Sequence, residues 1–238
     1  MELTAAQKQT LYDQGFVNFP GIIPRELVDR ALRAINASLG SQGIDPNYLT
    51  KFRAQSYCPE LTTSPVITGL INESPVWPLA ESAIGVGKIR PVKGGQIALR
   101  FPSMEQPGEP HAHIDGMYTP TNGVPKGTIA NFTALVGVLL SDLPQPYSGN
   151  LAVWPGTHRS FETYFRERGP QSLLEGMPQV EMPEPVQITG NGSPNIRYAI
   201  YFRLSHVDHD NLHWECMTDI WREWEGMQDL VQAGAGSR

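Results

Sequence analysis

The chain has 238 residues, a formal net charge of -6 and a pI near 5.5. Hydrophobic residues make up 40% of it and charged residues 18%, which excludes a disordered or membrane-embedded composition. It contains no run of Lys and Arg that could neutralise phosphates, so nucleic acid is not an expected partner. Cys58 and Cys216 lie far apart, and no charged segment followed by an apolar one opens the chain. We therefore expect an intracellular, cytoplasmic protein with reduced thiols and no membrane partner.

Helices are predicted for residues 1–85. Thr4 can cap a first helix that ends near Gly15. Pro24 opens a second helix, at a position where a missing N–H does no harm, and Gly40 is a suitable stop. Its apolar residues recur on one face, which predicts packing on the outside of a sheet; an interaction helix for a partner is the alternative. Prolines interrupt the next stretch, which ends in a short predicted helix near residues 76–84.

Five runs rich in branched and aromatic residues follow, each bounded by Gly, Pro, Asn or Asp. They are residues 89–92, 96–101, 128–140, 150–154 and 196–204. Few helices separate them, which favours antiparallel pairing and two sheets packed as a jelly roll; residues 158–168 have helical spacing and form an insertion. We expect a mainly β fold with flanking helices in a single domain, 1–238. Its parts are a helical flank (1–85), a jelly-roll core (86–225) and a flexible tail (226–238).

The stretch from His111 to Gly116 places metal-competent side chains at alternate positions. In a strand, side chains two apart point to the same face, so His113 and Asp115 would present an imidazole and a carboxylate side by side. Non-haem Fe(II) favours two His and one carboxylate on one face of the ion, with open positions for a co-substrate and oxygen. The pair alone is a weak signal, because residues 206–208 repeat it and a hydrogen-bonded pair at a strand end has the same sequence.

Several other stretches resemble a known family in order and content. Residues 96–102 precede the His-x-Asp pair, and residues 131–138, 149–158 and 194–203 follow it. The most specific are the runs Asn-Leu-x-x-Trp-Pro-Gly-x-His and Ile-Arg-Tyr-Ala-x-Tyr-Phe-Arg. Together they resemble the phytanoyl-CoA dioxygenase-like branch of the Fe(II)- and 2-oxoglutarate-dependent oxygenases, over roughly residues 4–224. The resemblance implies a double-stranded β-helix of cupin type that hydroxylates a small organic or lipid-like substrate.

The same resemblance implies roles for individual residues. His113 and Asp115 would bind iron, and Arg197 would bind the distal carboxylate of 2-oxoglutarate, for which a planar guanidinium is suited. Asn131 and Thr133 share one face of their predicted strand, and the resemblance suggests that this face lines the co-substrate pocket. Fe(II) and 2-oxoglutarate are therefore the expected cofactors. The sequence indicates neither the identity of the substrate nor the oligomeric state.

The third iron ligand of the family has no counterpart here. Family members carry a second iron-binding His shortly before the arginine, but no His lies between His158 and His206. The sequence before and after this position matches the family, which predicts that one core strand, next to Ile188, is missing. His158 is the best placed substitute. His206 would need the chain to double back, because nine extended residues span roughly 30 Å, and His111 would need a distorted strand.

Two functions of different classes therefore stay open. The chain is either an oxygenase that hydroxylates its substrate, or a catalytically inactive relative that binds a ligand or a partner. Metal sites of closed type are not expected elsewhere. His206, His209 and His213 have no Cys or His pair at the spacing of a structural zinc site, which predicts a solvated polar loop.

Overall fold

The computed structural model describes residues 1–102, 110–142, 148–149, 151–187, 190–191 and 195–235. Its α-helices are α1 (Ala5–Gln14), α2 (Arg25–Gln42), α3 (Leu49–Ala54), α4 (Pro65–Asn72), α5 (Val76–Ile84), α6 (Thr157–Arg168), α7 (His209–Leu212), α8 (Glu215–Thr218) and α9 (Gln228–Ala235). Its strands are β1 (Gln96–Arg100), β2 (Ala134–Leu139), β3 (Ser148–Gly149), β4 (Ala152–Val153), β5 (Val186–Gln187), β6 (Gly190–Asn191) and β7 (Arg197–Leu204). Helix covers far more of these residues than strand does, so a mainly β composition is not what the structure shows.

Thr4 caps the first helix, as the sequence predicted, whereas Pro24 precedes α2 and is not its first residue. The Thr4 hydroxyl accepts from the Gln7 amide at 3.2 Å, the Gln7 side chain accepts from the Thr4 amide at 2.9 Å, and Gly15 ends α1 at φ 80°. The predicted stop at Gly40 was wrong, because α2 continues to Gln42 and ends at Gly43. No atom lies near the position of an added Cβ at Gly40, so this glycine lies on an exposed part of α2 and does not end the helix.

The sheet is antiparallel, as predicted, with β7 at its centre between β1 and β2. Tyr201 pairs with Gln96 on one side and with Gly137 on the other. The predicted strand over 128–140 is shorter, because its first residues form a turn and loop contacts before β2 begins.

The two faces of this sheet differ in chemistry, because side chains alternate along each strand. One face carries Ile200, Phe202 and Leu204, which are buried with the apolar stripe of α2 and with α4. Helix α2 therefore packs on the sheet, as the sequence predicted. The opposite face carries polar side chains at neighbouring register positions, and we call it the polar face. Its members are Gln96, Arg100, Arg197, Tyr201 and Arg203.

A double-stranded β-helix is not confirmed. Within the described ranges, the remaining strands form only two-residue pairs, β3 with β6 and β4 with β5. The predicted gap beside Ile188 lies outside the described residues, so the missing-strand prediction stays a prediction.

A second apolar core joins the two ends of the described chain. Leu3 and Leu11 are buried with Leu79, Trp221 and Met227. Helix α9 also packs here, within the segment for which the sequence predicted a flexible tail. None of the helices in the described ranges is both long and apolar enough to cross a membrane.

Candidate functional site

The predicted iron-ligand pair lies in a loop and turn that close on the start of β2. His113 Nε2 is 3.4 Å from Asp115 Oδ1. The residues are not in a strand, yet the two side chains do lie side by side as their spacing predicted. Gly116 follows at φ 92°, and a Cβ there would come within 2.6 Å of the Ala130 carbonyl oxygen. Only glycine fits this turn, so Gly116 fixes the loop against the chain that enters β2.

Arg203 connects the pair to the polar face. Its guanidinium donates to Asp115 Oδ2 at 2.9 Å and to the Gln96 side-chain oxygen at 2.8 Å. The hydrogen bond from His113, together with the positive charge of Arg203, lowers the pKa of Asp115 despite its burial. The bond to Asp115 in turn raises the pKa of His113. The carboxylate is therefore ionised and oriented at neutral pH.

The two predicted iron ligands thus lie together, and the described residues bring no third candidate to them. In the described part of the chain, no other His, Cys, Asp or Glu forms a metal-competent group with them. His158 lies at the start of α6, where its Nε2 donates to the Tyr12 carbonyl oxygen at 3.0 Å. His206 is buried beside the Ile89 bridge, and His111 is exposed in the loop. The residues described fit two of the three protein positions of a non-haem iron site.

The predicted 2-oxoglutarate residue Arg197 lies on the polar face and is only 6% exposed. Its guanidinium donates to the Tyr201 hydroxyl at 3.3 Å. Arg100 is its direct cross-strand partner. Burial lowers the pKa of Arg197, and the charge of Arg100 adds to this lowering; the same charge also acts against protonation of His113. This end of the polar face therefore carries two neighbouring arginines, which suits an anionic ligand.

Asn131 and Thr133 form hydrogen bonds with a different part of the molecule. The Asn131 amide donates to the His213 carbonyl oxygen at 2.6 Å. The Thr133 hydroxyl donates to Glu223 Oε2 at 2.5 Å and accepts from the His206 amide at 2.8 Å. Their hydrogen bonds lead to the segment after β7, so their predicted contact with 2-oxoglutarate stays a prediction.

That segment holds a buried cluster that the sequence did not reveal. His206 and His209 were predicted to lie in a solvated loop, which was wrong, because both are at most 5% exposed. His209 Nδ1 lies 2.9 Å from Glu223 Oε1, and its Nε2 donates to the Asn131 carbonyl oxygen at 3.0 Å. Donor atoms of His209, Cys216 and Glu223 all lie within 4.8 Å of one another. We call these three residues the buried triad.

The protonation of the buried triad follows from its contacts. Burial opposes ionisation of Glu223, yet the hydrogen bonds from His209 and Thr133 leave its pKa lowered. Burial likewise opposes protonation of His209, yet the bond to Glu223 leaves its pKa raised. Burial and the Glu223 carboxylate strongly raise the pKa of Cys216. The hydrogen bond between His209 and Glu223 therefore favours the protonated ring and the ionised carboxylate, and Cys216 stays a thiol.

A cavity of about 250 Å³ lies beside the buried triad. Thr133, Cys216 and Glu223 form part of its wall, together with His158 and Trp221. His158 packs edge-on against the Trp221 ring. The cavity is therefore bounded by apolar rings and by the polar atoms of the triad.

The fold of this chain is similar to that of a solved structure, a non-haem α-ketoglutarate-dependent carbocyclase, SnoK, from nogalamycin biosynthesis. The two superpose with a TM-score of 0.50 over 89% of this chain and 90% of that chain. The two sequences are 16% identical, so the likeness shows the fold alone. Neither a protein-family model nor a curated protein sequence matches the chain.

Proposed function

We propose that the chain is an Fe(II)- and 2-oxoglutarate-binding protein of the oxygenase type, in the phytanoyl-CoA dioxygenase-like branch. The supporting observation is the His113–Asp115 pair, which Arg203 holds against the same sheet face that carries Arg197. The reaction would be hydroxylation of a small organic or lipid-like molecule. The shared fold with SnoK agrees with this proposal.

Each residue has a separate task in the proposed site. Bound iron would supply oxygen activation coupled to decarboxylation of 2-oxoglutarate. His113 and Asp115 would hold the ion, and Arg203 keeps the Asp115 carboxylate ionised and aimed. Arg197 would bind the distal carboxylate through a charge-assisted pair in a largely water-free position. Its bond to Tyr201 fixes the plane of the guanidinium before a ligand arrives.

The incomplete ligand set favours a second candidate, a non-catalytic relative that binds 2-oxoglutarate or a similar dicarboxylate. The observation behind it is that residues in the described ranges supply no third ligand beside His113 and Asp115. Under this alternative the cationic polar face still binds the dicarboxylate, and iron binds weakly. The two candidates differ in turnover and agree in their requirement for Arg197.

Two measurements test the proposal on the full chain. Anaerobic titration with Fe(II) should show weak binding that His113→Ala combined with Asp115→Ala abolishes, while His111→Ala, the matched control in the same loop, has little effect. Isothermal titration with 2-oxoglutarate should show binding that Arg197→Ala removes and Arg25→Ala, on the exposed surface of α2, leaves intact.

Turnover then separates the two candidates. Succinate release from 2-oxoglutarate and oxygen that falls on His113→Ala supports an active oxygenase. Binding of both groups without succinate release supports the non-catalytic relative. If 2-oxoglutarate does not bind, or if it binds equally well to the Arg197→Ala protein, the proposal is wrong.

A further inference from the structure

We propose that the buried triad of His209, Cys216 and Glu223 is a metal site, separate from the His113–Asp115 pair, that takes one Zn²⁺ ion. Three donor types that suit this ion, an imidazole nitrogen, a sulfur and a carboxylate oxygen, converge within 4.8 Å. His209 and Glu223 are almost completely enclosed by protein. His209 and Glu223 are hydrogen-bonded to each other, and a bound ion would replace that contact.

The chain brings the three donors together through short, tightly turned elements. His209 opens α7, Cys216 lies in α8, and Glu223 follows after a turn in which the Arg222 amide donates to the Asp219 carbonyl oxygen at 3.1 Å. Each donor comes from a different turn of backbone, so their convergence depends on packing and not on local spacing. The donors are held in place before any ion arrives, which lowers the entropic cost of binding.

The surroundings of His209 and Glu223 already match those of metal ligands. His209 Nε2 donates to the Asn131 carbonyl oxygen, which directs Nδ1 toward the other two donors. Metal-binding histidines commonly use their second nitrogen in this way. Thr133 donates to Glu223 Oε2, and His209 Nδ1 lies within hydrogen-bond distance of both carboxylate oxygens, so the carboxylate is held in place beside the other two donors.

The charges of the three ligands match a divalent ion. A sulfur ligand binds Zn²⁺ as the thiolate, so the Cys216 Sγ proton passes to solvent when the ion binds. The thiolate and the Glu223 carboxylate then balance the two positive charges of the ion, and the His209 imidazole binds in its neutral form.

The cavity beside the triad supplies the fourth coordination position. Thr133, Cys216 and Glu223 all contribute to its wall, so an ion held by the triad has an open side toward it. Three protein ligands with one open position are typical of zinc sites that bind water or a small ligand, whereas structural sites are closed by four. The fourth ligand here would be a water molecule in the cavity.

Cobalt substitution tests the site, because only a sulfur ligand produces a thiolate-to-cobalt charge-transfer band in the near ultraviolet. One equivalent of Co²⁺ should give this band, and Zn²⁺ should displace it. Cys216→Ser should remove the band and weaken Zn²⁺ binding by at least about 100-fold. Cys58→Ser, the other cysteine of the chain, should leave both unchanged, and so should the combination of His113→Ala with Asp115→Ala. A band that survives Cys216→Ser or depends on His113 would overturn the proposal.

If the Cys216→Ser variant fails to fold, a second measurement on the unaltered chain still tests the proposal. X-ray absorption of its zinc complex should show a single sulfur neighbour at about 2.3 Å with nitrogen and oxygen near 2.0–2.2 Å. No sulfur neighbour, or two of them, would overturn the assignment. Neither result bears on 2-oxoglutarate binding at Arg197, so this inference and the proposed function stand or fall separately.

Discussion

The two metal-competent regions of this protein differ in how their residues come together. His113 and Asp115 are neighbours in sequence, and the His113 side chain is 76% exposed. The buried triad is assembled from three turns of backbone, with the Glu223 side chain only 1% exposed. Ligands that are adjacent in sequence need little packing, whereas buried ligands depend on the whole fold for their position and charge. Substitutions at His113 and Asp115 should therefore leave the fold intact, whereas substitutions in the buried triad should destabilise it.

The largest expected effect is on stability, from Glu223→Ala. This change leaves His209 Nδ1 and the Thr133 hydroxyl without their buried acceptor, which should lower the free energy of unfolding by about 3–5 kcal/mol. Urea unfolding monitored by circular dichroism measures it. Glu225→Ala is the matched control, because Glu225 makes an exposed ion pair with Lys88. A loss of under about 1 kcal/mol for Glu223→Ala would show that the triad is not the tightly coupled group described above.

A smaller effect is expected from Gly116→Ala at the turn beside the pair. The positive φ and the approach to the Ala130 carbonyl oxygen should together cost about 2–3 kcal/mol and shift Asp115. Fe(II) binding at the pair should weaken along with stability. Gly127→Ala is the control, because Gly127 has a similar φ of 80° and no atom within 4 Å of its added Cβ. Equal losses in the two variants would show that the Ala130 contact is unimportant.

The pH dependence of stability should differ in sign between His113 and His158, which lies on the cavity wall beside the buried triad. Burial lowers the pKa of His158 on the cavity wall, so the unfolded chain binds more protons there and stability falls as the pH drops below about 6.5. The pKa of His113 is raised, so its contribution is fully present below about 6.5 and is lost as the pH rises through the folded value. Unfolding free energies measured from pH 5 to 8 should show a shallower acid loss in His158→Gln and a steeper one in His113→Gln.

Identical profiles for His158→Gln and the unaltered chain would contradict the assignment of a neutral, buried His158. Its geometry supports that assignment. Nε2 donates to the Tyr12 carbonyl oxygen, and Nδ1 is buried without a hydrogen-bond partner among the described residues. A second proton would therefore have no acceptor.

The smallest effect is expected from Asp115→Ala in the absence of metal. Its bonds to His113 and Arg203 are partly exposed to water, so the free energy of unfolding should change by less than about 1 kcal/mol. The same variant should lose Fe(II) binding. A loss of stability as large as that of Glu223→Ala would remove the contrast between the two regions.

Local chemistry made part of this structure predictable from the sequence. The Thr4–Gln7 capping box needs only four residues, and the alternation of apolar residues in 196–204 marks β7. The His113–Asp115 contact also follows from a spacing of two. These features depend on neighbours in the chain and can be predicted before any tertiary contact is known.

Long-range packing decided the features that the sequence did not reveal. Successive members of the buried triad are seven residues apart, a spacing that matches no familiar ligand pattern. Separate short turns bring the three residues together. The start of β2 was missed for a related reason. Asn131 and Thr133 look like strand residues, yet their side chains bond the segment after β7, and the ladder begins only at Ala134.

Because β7 is the central strand and lies late in the chain, the sheet cannot form until most of the protein has been synthesised. Helices α2 and α4 and the strands β1 and β2 leave the ribosome first, and among the described strands β1 and β2 each pair with β7 alone. Until residues 197–204 are synthesised, the core that contains Ile35 and Ile67 lacks Ile200 and Phe202. The nascent chain therefore carries uncovered apolar surface and unpaired strand edges through most of its synthesis. Its yield should depend on holding chaperones more than on the stability of the folded product.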